Sequence, residues 1–385
     1  MKKKISFALA TAGAFAASAA HAQSSVTLYG LIDAGIMYTN NVVSGKTSGP
    51  LWQATSGNIN GSRFGVRGSE DLGGGLKALF VLENGFNVQS GKLGQDSRFF
   101  GRQAYVGLSS SQLGTLTLGR QYDSLVDYVA PLSATAGTFG DASFAHPFDN
   151  DNLNHSLRIS NAVKFASNDY AGIKFGGLYA FSNNTDFAMN RAYSFGASYT
   201  NGPLSVAGGF LQINGSKGAT ASSAGAVDLA ESAANGKGGF ALGADRMRSF
   251  GGGINYAFGP FVTGFVYTRS EYENSGSFGS TGGTVSFNNF EVNGKYAVTP
   301  ALSLGLAYTY TNGHVDNTST FGADPKWHQV DFQTVYKLSK RTDVYLEAMY
   351  QHASGKNYVA FINTAGGASS TANQVVGTVG MRTRF

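Results

Sequence analysis

From Ser25 to Phe385 the chain alternates in polarity with a period of two, in short stretches that fit β-strands and not helices. The last of them, NQVVGTVGMRTRF, sets Val375, Gly377, Val379, Met381, Thr383 and Phe385 on one face. Thr378, Gly380, Arg382 and Arg384 occupy the other. ALSLGLAYTYT sets Leu302, Leu304, Leu306, Tyr308 and Tyr310 against Ser303, Gly305, Ala307 and Thr309, and HQVDFQTVYK sets Val330, Phe332 and Tyr336 against Asp331, Gln333 and Lys337. SVTLYGLIDAGIMYT does the same with Leu28, Ile32 and Ile36 against Thr27, Tyr29 and Asp33. One such segment is weak evidence, but repetition along the chain is not. Composition agrees, because 53 glycines and 13% aromatics favour sheet over helix.

The connections carry a second rhythm. Short turns are expected at 70–73, 110–112, 168–170, 201–203, 259–260, 299–300 and 339–341, nearly all on turn-forming residues. Longer Gly/Ser/Asn-rich stretches alternate with them at 40–60, 90–97, 123–157, 182–190, 214–245, 274–286, 312–325 and 354–372. Seven turns and eight loops predict sixteen strands with both termini on the short-turn side. Short turns on one rim and long loops on the other characterise all-β transmembrane antiparallel β-barrels, with the turns periplasmic and the loops extracellular. An open sheet of this size would leave edge groups that lipid cannot satisfy, so the sheet is expected to close. The apolar face then meets hydrocarbon and Arg382 and Arg384 face a wet lumen, with Phe385, Tyr170 and Phe258 in an aromatic girdle. A soluble β-sandwich would have to explain why the loops are long on alternate connections only.

The N-terminus bears on location. MKKK is a basic leader, ISFALATAGAFAA an apolar run too short to span a bilayer, and Ala20-His21-Ala22 a small-x-small cleavage site. Residues 1–22 are therefore expected to be a secretory signal peptide, and 23–385 one outer-membrane barrel. Losing Lys2, Lys3 and Lys4 lowers the net charge of +5 by three, so the chain's basicity is no argument for a nucleic-acid partner. With no cysteine, the exported protein holds together by hydrogen bonding and packing alone.

In a pore the informative residues are inward charges and any loop that narrows the lumen. SRFGVRG directs Arg63 and Arg67 inward, and LRISNAVKFAS does the same for Arg158 and Lys164. Arg102 shares parity with Ala104, Val106 and Leu108, so alternation leaves its direction open. Loop 123–157 is unusually long for a structureless connection, a length usually tied to function or disorder. It carries Asp123, Asp127, Asp141, Asp149 and Asp151. Folded into an arginine-lined lumen, it would set a field across a narrow opening, as rings of charge do in pores.

SSVTLYGLIDAG, SRFGVRGSEDLGGGLKALF, GRQAYVGL, GTLTLGRQYD, RISNAVKFAS and the terminal Phe385 together resemble the Gram-negative general porins, specifically the trimeric β-proteobacterial type. The resemblance implies a sixteen-stranded homotrimeric barrel in the outer membrane. Small hydrophilic solutes and ions would diffuse through it passively, filtered by a charged constriction where the third extracellular loop folds inward. A solute-specific outer-membrane channel is the nearest alternative. Carried onto this chain, the resemblance puts Arg63, Arg102 and Arg158 on the basic side of the constriction, which turns Arg102 inward. Because the inward loop follows GRQYD, Asp127 and Asp141 become candidates for its acidic side, with Glu83 and Arg120 bracing it by charge pairing. Phe385 becomes part of the signal read by the outer-membrane insertion machinery, and outer-membrane lipid and lipopolysaccharide become the surroundings.

No enzyme reading assembles. The histidines show no metal-ligand spacing and cysteine is absent, so neither a metal nor a cofactor is expected. Ser, His and Asp occur in no recognisable nucleophile context.

Overall fold

The computed structural model describes residues 25–137, 139–140, 142–215, 225–227 and 244–385. The signal peptide expected at 1–22, Asp141 and most of the loop expected at 214–245 lie outside the described residues. The chain forms β1 (Ser25–Ser44), β2 (Thr47–Ser56), β3 (Arg63–Gly73), β4 (Leu76–Gly85), β5 (Gln103–Ser110) and β6 (Gly114–Gln121). After a long inward excursion follow β7 (Ile159–Ser167), β8 (Ile173–Ala180), β9 (Ala192–Asn201), β10 (Leu204–Asn214), β11 (Arg246–Phe258) and β12 (Phe261–Ser275). β13 (Gly283–Ala297), β14 (Leu302–Val315), β15 (Lys326–Lys337), β16 (Thr342–Ser354) and β17 (Asn373–Arg384) complete the wall. Every neighbouring pair is antiparallel, and β1 closes the cylinder on β17 from Leu31↔Arg384 to Thr39↔Val376.

The seventeen ladder segments make sixteen barrel strands. One long strand, β1, pairs with β3 over Ser25–Leu31 and with β2 over Ala34–Ser44, so β2 and β3 are two halves of a single strand broken at 57–62. Asp33 organises the break: its Oδ2 accepts from the backbone N–H of Ile59 (3.0 Å) and Asn60 (2.9 Å), and its carbonyl from Gly57 N–H (2.9 Å). This corrects the expected loop at 40–60. The chain turns at Gly45-Lys46, and the polar run 57–62 is an inward bulge within a strand. Six of the seven expected short turns fall on or overlap the connections of one rim, which run through two to five residues; the turn expected at 70–73 is corrected to Gly74-Gly75, because 70–73 still pair with β4 as the end of β3.

Side-chain exposure shows which medium lies outside. Leu306 (58% exposed) and Val379 (54%) point away from the barrel, while Thr309, Gln329, Asp331 and Thr378 on the opposite parity are buried. The apolar face of each strand is the exposed one, the inverse of a water-soluble sheet and the pattern of a lipid-facing wall.

The described residues of 122–158 fold inside the cylinder. A π-helical turn at Leu125–Val129 lies on the inner wall of β8–β10, where Gly176, Gly196 and Gly209 leave room for it: a Cβ at Gly176 would lie 2.6 Å from the Tyr128 hydroxyl. The loop then follows the wall from β12 to β16. Ala134 N–H donates to Glu291 Oε1 (2.8 Å), Gln329 Nε2 to the Ser143 carbonyl (3.0 Å) and Gln333 Nε2 to the Phe139 carbonyl (3.3 Å). From the extracellular side, residues 355–372 pack onto it: Phe361 stacks on Phe148 (5.3 Å), and Asn363 Nδ2 donates to the carbonyls of Ala145 and His146 (both 3.0 Å). One side of the lumen is thereby filled.

Candidate functional site: the charged constriction

Arg63, Arg102 and Arg158 line one cavity of about 370 Å³, facing the loop backbone at Thr135, Ala136 and Gly140. Arg63 opens β3 immediately after the bulge, on inward parity with Gly65 and Arg67. Arg158 directly precedes β7. Arg102 precedes β5, outside the regular pleat, so strand parity does not govern it; its N–H donates to the Glu83 carbonyl (3.3 Å) and its side chain is buried. Arg102 Nε donates to Glu83 Oε1 at 2.7 Å and Nη2 to the Tyr122 hydroxyl at 3.0 Å. Arg63 Nε lies 3.7 Å from Glu83 Oε2.

Two further residues belong to this wall. Tyr122 stacks on His155 (5.1 Å, 14°) and lies under the Arg158 guanidinium, 5.9 Å from ring centroid to Cζ. His155 Nδ1 is 3.5 Å from Arg158 Nη2. Burial, and then the charges of Arg158, Arg102 and Arg63, hold His155 well below its ordinary range, so the ring is neutral. Sequence periodicity did not single out either residue, because both sit where the loop meets the wall.

The bracing pair divides differently from expectation. Glu83 is the counter-charge of Arg102 and Arg63, with Tyr29 donating to its Oε2 (3.1 Å). Arg120 donates to the carbonyls of Gly101 (2.8 Å) and Arg158 (3.3 Å) and to Ser160 Oγ (2.9 Å), pinning the ends of two loops through hydrogen bonds.

The described loop carboxylates, which do not include Asp141, turn away from the arginines. Asp127 pairs with Lys164 of β7 at the foot of the loop and does not line the arginine cavity. Asp123 caps the π-turn at Leu125 N–H (2.8 Å) and accepts from Asn152 Nδ2 (2.7 Å). Asp149 accepts from the N–H groups of Asn154 (3.0 Å) and Ser156 (3.1 Å), and its burial beside Asp151 pushes it up to about 7. Asp151 bonds His146 Nδ1 (2.5 Å), whose Nε2 reaches Glu291 on β13 (3.2 Å).

Below the loop tip a second cavity of about 540 Å³ is lined by Lys295, Lys337, Lys340, Arg382 and Arg384 around Asp343. The two cavities share Asn60, Ala136 and Gly140. Asn60 Nδ2 donates to the Gly140 carbonyl (3.2 Å), tying the tip to the bulge.

A closed barrel with a lipid-facing apolar wall, a polar lumen and an inward loop opposite a charged belt is a diffusion channel. The chain belongs to the Gram-negative porin family, whose model matches residues 8–356. It is 34% identical to an outer membrane porin protein of Bordetella pertussis, with all of both chains covered. In fold it resembles an anion-selective porin from Comamonas acidovorans (TM-score 0.74, 23% identity, 94% of this chain and 100% of that one). It also resembles an outer membrane protein of Vibrio cholerae in a trimer form (TM-score 0.63, 16% identity, 94% and 99%). The protein is thus an outer-membrane porin that lets small hydrophilic solutes and ions diffuse passively.

Proposed function

We propose that this porin favours anions and works as a homotrimer. The observation that carries the preference is the direction of the loop's described carboxylates, which are buried against or paired with the wall instead of facing Arg63, Arg102 and Arg158. Among the described residues lining the arginine cavity, three guanidiniums face one carboxylate, Glu83; in the cavity below, five cations surround Asp343. A solute crossing the loop meets net positive potential on both sides of it, and closely spaced charges act before salt screens them over about 8 Å. The trimer reading is supported by family membership and by the trimer form of the Vibrio cholerae neighbour.

Zero-current potentials across a bilayer in a potassium chloride gradient test the preference. The wild-type sign is expected to be that of chloride. Replacing Arg63, Arg102 and Arg158 by Gln together is expected to move the potential toward the cation side. A cation-preferring wild type, or a triple variant with an unchanged potential, would overturn the reading.

Phe385 is proposed to act in assembly. Its N–H and C=O pair with Gly30 (3.0 and 3.1 Å), and its half-exposed ring covers Gly30, where a Cβ would lie 2.5 Å from Phe385 Cζ. Deleting Phe385 is expected to lower the amount of folded protein in the outer membrane, measured by heat-modifiable migration, while the channels that assemble keep wild-type conductance.

A further inference from the structure

The break between β2 and β3 reaches into the lumen, where Gly57, Ile59, Asn60 and Gly61 line the arginine cavity. An irregularity of this kind aims side chains where a regular pleat would not send them. Asp33 holds it from the neighbouring strand: besides the N–H groups of Gly57, Ile59 and Asn60, its carbonyl accepts from Ser62 Oγ (3.0 Å). Tyr345 completes the anchor, its hydroxyl donating to Asp33 Oδ1 (2.5 Å) and accepting from Asn58 Nδ2 (2.9 Å). All of this engages the main chain of Asn60 and spares its side chain.

That side chain stands between the two cavities. Asn60 Oδ1 accepts from Arg382 Nη1, in the lower cavity, while Nδ2 donates to the Gly140 carbonyl at the loop tip (3.2 Å). A carboxamide offers acceptor and donor side by side, which a carboxylate does not. A second bond joins loop and bulge, from Ala142 N–H to the Asn58 carbonyl (3.1 Å). Gly140 suits the contact: its φ of +74° is left-handed, and a Cβ there would lie 3.2 Å from Asn60 Nδ2 and 3.6 Å from Ile59 Cγ2. The loop tip therefore meets the barrel twice, on β15 through Phe139 and on the bulge through Gly140 and Ala142. Asn60, Ala136 and Gly140 line both cavities, so a solute leaving the arginines for the lysines passes along Asn60.

We propose that the bulge 57–62 is a second jaw of the constriction, and that the Asn60 side chain sets the width of the passage joining the two cavities. The inference rests on the channel and not on its ion preference, since a passage in a cation-preferring channel would narrow in the same way. The chain has no cysteine, so a thiol placed at 60 is the sole target for thiol reagents. Full-length Asn60→Cys would be incorporated in planar bilayers and exposed to two methanethiosulfonates, one carrying a sulfonate and one a trimethylammonium, with labelling read by mass spectrometry. Either label, added as a mixed disulfide, is expected to lower single-channel conductance in discrete steps by about half, while wild type does not respond. The sulfonate should move the zero-current potential toward the cation side and the trimethylammonium toward the anion side, a split that a purely structural Asn60 would not produce. Asn60→Ala, which shortens the side chain and removes the bond to Gly140, is expected to conduct roughly 1.5-fold more than wild type. Ala136→Cys, across the same passage and outside the bulge, should give the same labelling steps and decides the matter if Asn60→Cys yields no folded barrel. A thiol at 60 that the reagents do not reach, labelling that leaves conductance unchanged, potentials that shift the same way with both labels, Asn60→Ala channels of wild-type conductance, or a silent Ala136→Cys would each overturn the proposal.

Discussion

His146→Ala is expected to loosen the inward loop from the barrel wall and to lower stability by about 3–5 kcal/mol, as when one partner of a buried charge network is removed. His146 is buried, with Asp151 at 2.5 Å on Nδ1 and Glu291 at 3.2 Å on Nε2. Glu291 Oε1 also accepts from Ala134 N–H (2.8 Å), so one carboxylate of β13 holds two points of the loop, His146 and Ala134. Burial opposes the charge of His146, but Asp151 and then Glu291 outweigh burial and push the ring up to about 10. A raised basic group stabilises fully below its unfolded value of about 6.5, and that contribution is lost as pH rises through about 10. Wild-type channels are therefore expected to be quiet at neutral pH and to grow noisy above about pH 10. His146→Ala channels should be noisy already at neutral pH and should melt earlier. Quiet His146→Ala channels with wild-type thermal stability would show that the loop is held by other contacts.

How much of this was legible in the chain differs by element. Alternation identified the lipid face of β14, β15 and β17 because each is a single undisturbed run, and turn chemistry marked the connections of the short rim, though the first was expected at 70–73 and falls at Gly74-Gly75. β2 escaped, since TSGPLWQATS contains Gly and Pro, and the polar run 57–62 looked like the tip of a loop. What makes it a bulge is Asp33, a residue on another strand. Parity governs Arg63, the first residue of β3, whereas Arg102 and Arg158 both stand just outside their strands, Arg158 beyond the register shift that separates Ile159 from Ala162 in the β6–β7 ladder. The loop's acids were visible as a composition but their partners were not: His146 and Glu291 are 145 positions apart, and Asp127 finds Lys164 only once β7 has returned to the wall. One local signal was available. Inward positions of β13 and β14 carry Asn289, Glu291, Gly305 and Ala307, polar or very small residues that suit a wall against which backbone must dock.

Gly305→Leu follows from that signal and is expected to cut single-channel conductance by roughly half or more, by narrowing the lumen at the loop. Gly305 faces inward from β14, and a Cβ there would lie 2.1 Å from Phe139 Cε1 and 2.6 Å from Cδ1. Carbon atoms rest ~3.5–4.0 Å apart, so even Ala would require Phe139 to move by more than about 1 Å, and the rest of a leucine side chain by more. Phe139 has little room to yield sideways. It is packed with Phe144 (5.8 Å), lies under Lys295 Nζ (5.8 Å), and its carbonyl accepts from Gln333 Nε2 (3.3 Å). Displacement is therefore directed off the wall, toward the arginines that face Ala136 and Gly140 across the cavity. Adding Phe139→Ala to Gly305→Leu removes the ring that collides and is expected to restore most of the conductance, a coupling that two independent substitutions would not show. Wild-type conductance in Gly305→Leu alone, or no recovery in the double variant, would mean that the loop tip is not seated on β14 when the channel conducts.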